Sequence, residues 1–145
     1  VRSQIERATP EKVGKLMRTL EQIHDVPLHQ EHRTVELARL TPTQARVYAD
    51  ELEGRQYELE RGLAEPLVVI DNAGDLVLAD GHHRVMAATE IGVEEMDAST
   101  IVVDERVTLG MQRTAEKEGL ESIADIEVVD YGRHPLIETT ERLQE

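Results

Sequence analysis

Cysteine is absent from the 145 residues of this chain. Disulfides, thiolate nucleophiles and cysteine-based zinc sites are therefore excluded. A chain without cysteine suits a reducing compartment, and we expect a cytoplasmic protein. No stretch approaches the 18 consecutive apolar residues of a membrane span, and the first residues lack the apolar core of a signal peptide, so no membrane partner is expected.

Aromatic residues are almost as scarce, because the sequence has no Phe, no Trp and only 3 Tyr. Proteins that hold single-stranded nucleic acid stack its bases on aromatic side chains. This composition disfavours that class of partner.

Lysine is rare in a strongly acidic sequence. The formal net charge is −14, and Lys12, Lys15 and Lys117 are the only lysines among 16 basic residues. Such a surface repels DNA and anionic lipid, so a DNA partner is not expected. The composition is typical of a protein from a high-salt, archaeal-like cytoplasm, where salt screens carboxylate repulsion; an ordinary acidic protein is the alternative.

The length suits one domain, and hydrophobic periodicity predicts that it contains both helices and strands. Residues 1–32 form a helical N-terminal extension in this prediction, and residues 33–145 form the domain. Thr9-Pro10 is a helix start, residues 24–31 read as a connector, and residues 71–75 as a hairpin turn. We predict helices over 10–23, 43–61 (weakened or bent at Gly54), 83–91 and 107–118, and strands over 33–40, 67–70, 76–79, 96–103 and 126–129.

The most informative motif is Asp80-Gly81-His82-His83-Arg84, between a predicted strand and a predicted helix. Unpaired N–H groups at a helix N-terminus attract anions, and Arg84 could add a bidentate donor to phosphate oxygens. Asp80 could hold a divalent metal or accept a proton. The motif favours a phosphate-binding turn, and ordinary turn and cap residues are the alternative.

The two histidines of this motif cannot both face one ligand equally, because adjacent helical residues point about 100° apart. An alternative is therefore that one of them hydrogen-bonds the backbone and holds the turn in place.

Three segments together resemble the ParB/sulfiredoxin superfamily. Thr41–Arg46 resembles the box that opens the ParB N-terminal domain, Gly62–Val69 its strand entry, and Asp80–Arg84 its glycine-turn box, which is also similar to that of sulfiredoxin. The resemblance implies a ParB/sulfiredoxin-like α+β domain, with a small mixed sheet and flanking helices, that binds nucleotide phosphates. Gly81, His82, His83 and Arg84 would form the phosphate cradle.

A second phosphate box of ParB proteins corresponds here to Leu109–Arg113. Only Gln112 and Arg113 match it, and the resemblance implies that these two also contact phosphate. The Glu-Asn pair of the box is missing, and residues 120–145 predict a strand and a tail instead of a DNA-reading helix pair. Both departures disfavour a partition function.

The motif Asp-Gly-His-His-Arg is closer to that of the archaeal ADP-dependent free-serine kinases, in which the Asp helps to bind metal and phosphate. The resemblances together imply Mg²⁺ and a nucleotide (ADP, ATP or CTP) as cofactors, with Asp80 as the metal ligand and Asp80 and His83 as catalytic residues. Gln44 and Arg46 would lie on the substrate side, but Gln44 stands where the kinases have a glutamate. A neutral amide is not a general base, and Glu51 and Glu53 are the carboxylates that could replace it.

Three functions remain open. The first is a phosphotransferase that acts on a small hydroxyl compound, and the second is a nucleotide-sensing module without turnover. The third, a ParB-type DNA-binding protein or nuclease, is disfavoured by charge. A homodimer is one oligomeric state that the sequence leaves open.

Overall fold

The computed structural model describes residues 10–130, with the side chains of residues 11–130. The predictions for residues 1–9 and 131–145, including the C-terminal tail, lie outside the described residues. The helices are α1 Pro10–His24, α2 Ala49–Glu60, α3 His82–Glu90 and α4 Gly110–Lys117; the strands are β1 Leu28–Glu36, β2 Arg46–Tyr48, β3 Leu67–Asn72, β4 Asp75–Asp80, β5 Glu95–Val103 and β6 Glu127–Val129; short 3₁₀ helices span Leu37–Arg39 and Ile123–Asp125.

A four-stranded mixed sheet with the order β1-β5-β3-β4 forms the centre of the molecule. β1 lies antiparallel to β5, β5 parallel to β3, and β3 antiparallel to β4. The β3–β4 connection turns at Ala73 and Gly74, both with positive φ, as the hairpin signal predicted. The α+β fold class with a small mixed sheet is confirmed.

Each face of the sheet buries its own hydrophobic cluster, since side chains alternate along a strand. Leu67, Val69 and Leu78 pack on one face with Val85 of α3. The other face buries the intervening strand residues against Val13 and Leu20 of α1. Helices α1 and α3 therefore cover opposite faces, and both come close to the end of β4.

A second, two-stranded parallel sheet joins β2 to β6. Val47 of β2 and Ile126 beside β6 pack with Leu52 of α2 and Ala87 of α3 in a third buried cluster. This cluster fixes residues 46–48 against α3, directly after the glycine turn.

The first strand differs from the prediction. It runs from Leu28 to Glu36 instead of 33–40, because all nine residues pair with β5, from Leu28 opposite Val103 to Glu36 opposite Glu95. The connector predicted over 24–31 is therefore wrong in its second half. Leu37 and Leu40 are buried in the core, and the chain reaches them through the 3₁₀ helix.

The helix predicted over 43–61 begins only at Ala49. Thr41 pairs with the free edge of β4, donating to Leu76 O and accepting from Leu78 N, both at 2.8 Å. Residues 46–48 then pair with β6, and this pairing keeps the backbone extended. Gly54 neither breaks nor splits α2, which is continuous over its 12 residues.

The remaining predicted elements lie close to their predicted positions. The chief adjustment is α4, which begins at Gly110 instead of 107. The division into an extension (1–32) and a domain (33–145) stays a prediction, and its boundary falls inside β1. Across the residues that the structure describes, no helix combines the length and apolarity that a bilayer crossing needs.

Candidate phosphate-binding site

Gly81 makes the turn between β4 and α3 in a conformation that an L-residue rarely adopts. It is the N-cap of α3, with φ 109° and ψ 22°. A Cβ on Gly81 would lie 2.6 Å from Leu67 Cδ2 and 3.1 Å from Arg84 Nη2. Glycine is required here for both backbone conformation and space, and its missing side chain lets the Arg84 guanidinium lie over the turn.

Arg84 lies folded against the protein instead of projecting from the turn, since its side chain is only 8% exposed. Nη1 donates to the Glu65 carbonyl oxygen at 3.2 Å, and Nη2 donates to Asp80 Oδ2 at 3.3 Å. A guanidinium has five N–H groups, so these two bonds leave donor capacity for an anion. Arg84 is a preorganised cation beside the turn.

Asp80 is held by two cations. Lys12 Nζ of α1 lies 3.1 Å from Asp80 Oδ2, the same oxygen that Arg84 contacts. Burial alone would raise the pKa of Asp80, but the Lys12 hydrogen bond and the charges of Arg84 and Lys12 outweigh burial and hold this pKa below its ordinary value. The carboxylate therefore stays ionised and joins α1 to the turn.

The surroundings of Asp80 do not fit the predicted divalent-metal site. Nowhere from residue 10 to residue 130 do three His, Cys, Asp or Glu side chains gather in a way that could hold a metal ion. One oxygen of Asp80 is already shared by an ammonium and a guanidinium. A metal bound there would meet both positive charges at close range.

His82 holds the backbone of a neighbouring segment. It is 4% exposed, and its Nε2 accepts a hydrogen bond from Thr43 N–H at 2.9 Å. Burial lowers the pKa of His82 to about 4, with the His83 charge adding to the effect and Asp80 opposing it. His82 is therefore neutral at pH 7, and its predicted role in the phosphate cradle gains nothing from this geometry.

His83 contacts the same segment nearer to α2, at Tyr48. Its Nε2 lies 3.1 Å from Tyr48 N and 3.2 Å from Glu51 Oε2, and its ring stacks on that of Tyr48. The sequence left open whether Glu51 reaches the motif, and in the structure it does. A neutral imidazole accepts from Tyr48 N–H, whereas a protonated one donates to Glu51, so His83 has a proton acceptor at hand.

Gln44 and Arg46 lie on the segment that the two histidines hold. Gln44 Nε2 donates to the Arg46 carbonyl oxygen, and Arg46 Nε lies 3.3 Å from Glu127 Oε2. Both side chains are exposed. Their assignment to the substrate side stays a prediction.

The structure does not bring Gln112 and Arg113 to the glycine turn. Gln112 accepts from Asn72 Nδ2 at 3.0 Å and donates to Asp75 at 3.4 Å, so it lies at the hairpin end of β3 and β4. Asp75 and Asp80 are the two ends of β4, which puts roughly 16 Å between them. Gln112 and Arg113 line a separate cavity of about 570 Å³.

A cavity of about 350 Å³ opens beside the turn, lined by Glu11, Lys12, Lys15 and Glu65. Two of its lining residues contact the motif directly, Lys12 through Asp80 and Glu65 through Arg84. Lys12, Lys15 and Glu65 are not among the site residues that the sequence motifs predicted. Two of the chain's three lysines, Lys12 and Lys15, are spaced three apart on a predicted helix. This spacing puts them on one helix face, and it was the sequence signal for a local group of cations.

Comparison with models of known protein families finds no match. The chain is 43% identical over 132 residues to the uncharacterized protein MJ0188 of Methanocaldococcus jannaschii. The match covers 90% of this chain and 49% of MJ0188, so the chain spans about half the length of that relative.

Among solved structures, the chain is similar to protein Atu1540 from Agrobacterium tumefaciens, with a TM-score of 0.53 and 20% identity over 69% of this chain and 63% of that one. A Pnob8-like ParB-N domain matches with a TM-score of 0.44 and 18% identity, over 55% of this chain and 32% of that one. A mutant of free serine kinase in complex with AMP matches with a TM-score of 0.43 and 23% identity, over 56% of this chain and 35% of that one. The similarity to Atu1540 is a similarity of fold. ParB N-domains and free serine kinase are also among the structural neighbours of this mixed α/β domain.

Proposed function

We propose that this chain binds the phosphate groups of a nucleotide in the cleft between α1 and the Gly81 turn, and that it uses this site for phosphoryl transfer to a small hydroxyl compound. The observation that carries the proposal is the contact of Arg84 and Lys12 with one oxygen of Asp80 at the rim of a cavity. The lining of this cavity also includes Lys15, Glu11 and Glu65, so three cations lie beside three carboxylates in a chain whose net charge is −14. An anionic ligand is the partner that the two ammonium groups and the guanidinium would bind, through charge-assisted hydrogen bonds.

The backbone supports the same ligand. Gly81 is the N-cap of α3 and provides no side-chain cap, and the first turn of a helix is where backbone N–H groups can donate to phosphate oxygens. Positioning and charge neutralisation supply most of the catalysis in phosphoryl transfer. A preorganised guanidinium at a helix N-terminus provides both.

A proton acceptor for the attacking hydroxyl is the further requirement. We assign this role to His83 and Glu51, whose side chains lie 3.2 Å apart. The hydroxyl oxygen forms the new bond to phosphorus as the bond from phosphorus to the nucleotide breaks, and the hydroxyl proton passes to this pair. Gln44 cannot take that proton, because its amide is neutral.

Replacing each of two arginines by alanine, in separate variants, tests where the nucleotide binds. We expect Arg84→Ala to weaken the binding of ADP, ATP or CTP by roughly tenfold to a hundredfold, since a charge-assisted contact is lost. Arg113→Ala is the matched control, because it removes the same side chain from the cavity at the other end of β4. Isothermal titration calorimetry measures both affinities.

The partial burial of Arg84 requires a second variant. Arg84→Lys keeps the charge and removes the planar fork, so it should retain the fold and still lose affinity. Circular dichroism and a thermal melt check that each variant is folded. Unchanged affinity in folded Arg84→Lys and Arg84→Ala would refute the site, as would a loss confined to Arg113→Ala.

A nucleotide-sensing module without turnover is the second candidate, and Gln44 favours it. Incubating the chain with each nucleotide, Mg²⁺ and free serine, followed by mass spectrometry for phosphoserine, separates the two candidates. We expect a phosphorylated product that Glu51→Gln reduces at least tenfold without a matching loss of nucleotide affinity. Binding without any product from serine or other small hydroxyl compounds would favour the sensing module.

A further inference from the structure

We propose that Lys12 takes the place of a divalent cation at Asp80, so that nucleotide phosphates bind here through Lys12 and Lys15 and do not require Mg²⁺. This inference rests on the proposed function and specifies its chemistry. It departs from the Mg²⁺ dependence that the sequence motif implies, and it follows from the side chains around Asp80.

The position of Lys12 is fixed by the core. The next residue, Val13, is fully buried, and Leu20 of the same helix is 5% exposed in the same cluster. These contacts fix α1 on the sheet face behind β4, so the Lys12 stem starts from a rigid point. Its ammonium then reaches Asp80 Oδ2 at 3.1 Å, across 68 positions of sequence.

The ammonium at Asp80 can do what a metal would do for a phosphate. Lysine has three N–H donors, and one of them satisfies Asp80. The other two can point to phosphate oxygens, as in sites where a lysine binds phosphate as a point charge. Mg²⁺ at the same oxygen would have to displace the Lys12 ammonium. If it did not, it would lie close to two positive charges, those of Lys12 and Arg84, and both would repel it.

Lys15 adds a second ammonium group to a cavity that Glu11 and Glu65 also line, one helical turn from Lys12. It lines the same cavity as Lys12, and residues three apart share one face of a helix. Lys117, the remaining lysine of the sequence, lies at the end of α4, which packs near the opposite end of β4. Two of the chain's three lysines thus lie at the cavity that borders the glycine turn.

Calorimetry on the full chain tests this inference with ADP as the probe, in buffers containing either EDTA or excess Mg²⁺. The variants are Lys12→Met and Lys117→Met, which change the net charge equally at different places. We expect wild type and Lys117→Met to bind ADP with affinities that agree within about threefold in the two buffers. In EDTA, Lys12→Met should bind about tenfold more weakly, since it loses a charge-assisted contact.

The magnesium response of Lys12→Met distinguishes a direct role from a structural one. With Lys12 removed, one side of Asp80 is open to the metal, so Mg²⁺ should restore part of the lost affinity in this variant alone. Wild-type binding that needs Mg²⁺, or a Lys12→Met variant that binds like wild type in EDTA, would overturn the inference and leave the proposed function standing. Failure of wild type to bind any nucleotide in either buffer would overturn both.

Discussion

Gly81→Ala is expected to lower the free energy of unfolding by about 3 kcal/mol or more. Two costs add in this variant. An L-residue at φ 109° is strained by about 1–2 kcal/mol, and the new methyl group meets Leu67 Cδ2 at 2.6 Å, which forces repacking at a further 1–3 kcal/mol. Urea denaturation followed by circular dichroism measures the change.

Gly74→Ala separates the two costs. Gly74 has a similar φ of 101° at the β3–β4 turn, and nothing lies within 4 Å of its virtual Cβ. This variant should lose only the conformational part, about 1–2 kcal/mol. Equal losses at the two positions would contradict the steric part of the argument, and with it the close approach of Leu67 and Arg84 to the turn.

Acidification from pH 7.5 to pH 5 is expected to destabilise the protein by about 2 kcal/mol through His82 alone. Burial lowers its pKa to about 4 in the folded state, whereas an unfolded histidine titrates near 6.5. The unfolded chain therefore binds the proton first. The stability that neutral His82 contributes is complete above pH 6.5 and is lost as the pH falls from 6.5 toward 4.

His82→Gln tests this assignment, because the glutamine amide oxygen can still accept from Thr43 N–H and does not titrate. Its unfolding free energy, measured by urea denaturation at both pH values, should show about 2 kcal/mol less pH dependence than that of wild type. His29→Gln is the control, since His29 lies half-exposed on β1. A pH dependence that persists in His82→Gln would assign the effect to another group.

Local sequence signals predicted much of this fold. The hairpin at Ala73-Gly74, the glycine turn before α3 and the helix start at Pro10 each depend on a few adjacent residues with special backbone preferences. Short apolar runs then located β3, β4 and β5 to within a few residues, because these strands bury side chains on both faces of the sheet, and helical periodicity located α1, which buries one face.

The errors fall where a distant partner decides the structure. Residues 29–32 all carry polar side chains and look like a connector, yet they extend because β5 offers them hydrogen bonds. β2 exists because β6, about 80 residues later, pairs with it in parallel. Neither partner can be read from the local pattern.

The candidate site shows the same division. The sequence identified the motif and the need for glycine at position 81, and it raised the alternative that one histidine holds the backbone. It could not show that both histidines contact the 43–48 segment, that Glu51 reaches His83, or that Lys12 approaches Asp80 from the opposite face of the sheet. Those contacts depend on how α1 and α2 pack, which is set by tertiary structure.

The position of β5 between β1 and β3 has a consequence for biosynthesis. A ribosome delivers β1 long before β5, so the first strand must wait, unpaired, while some 60 further residues emerge. The β3–β4 hairpin can close early from local contacts, but the sheet is complete only once Val103 is available. The charged side chains along β1, including Glu31 and Arg33, are well suited to that interval, because they discourage pairing with other nascent chains.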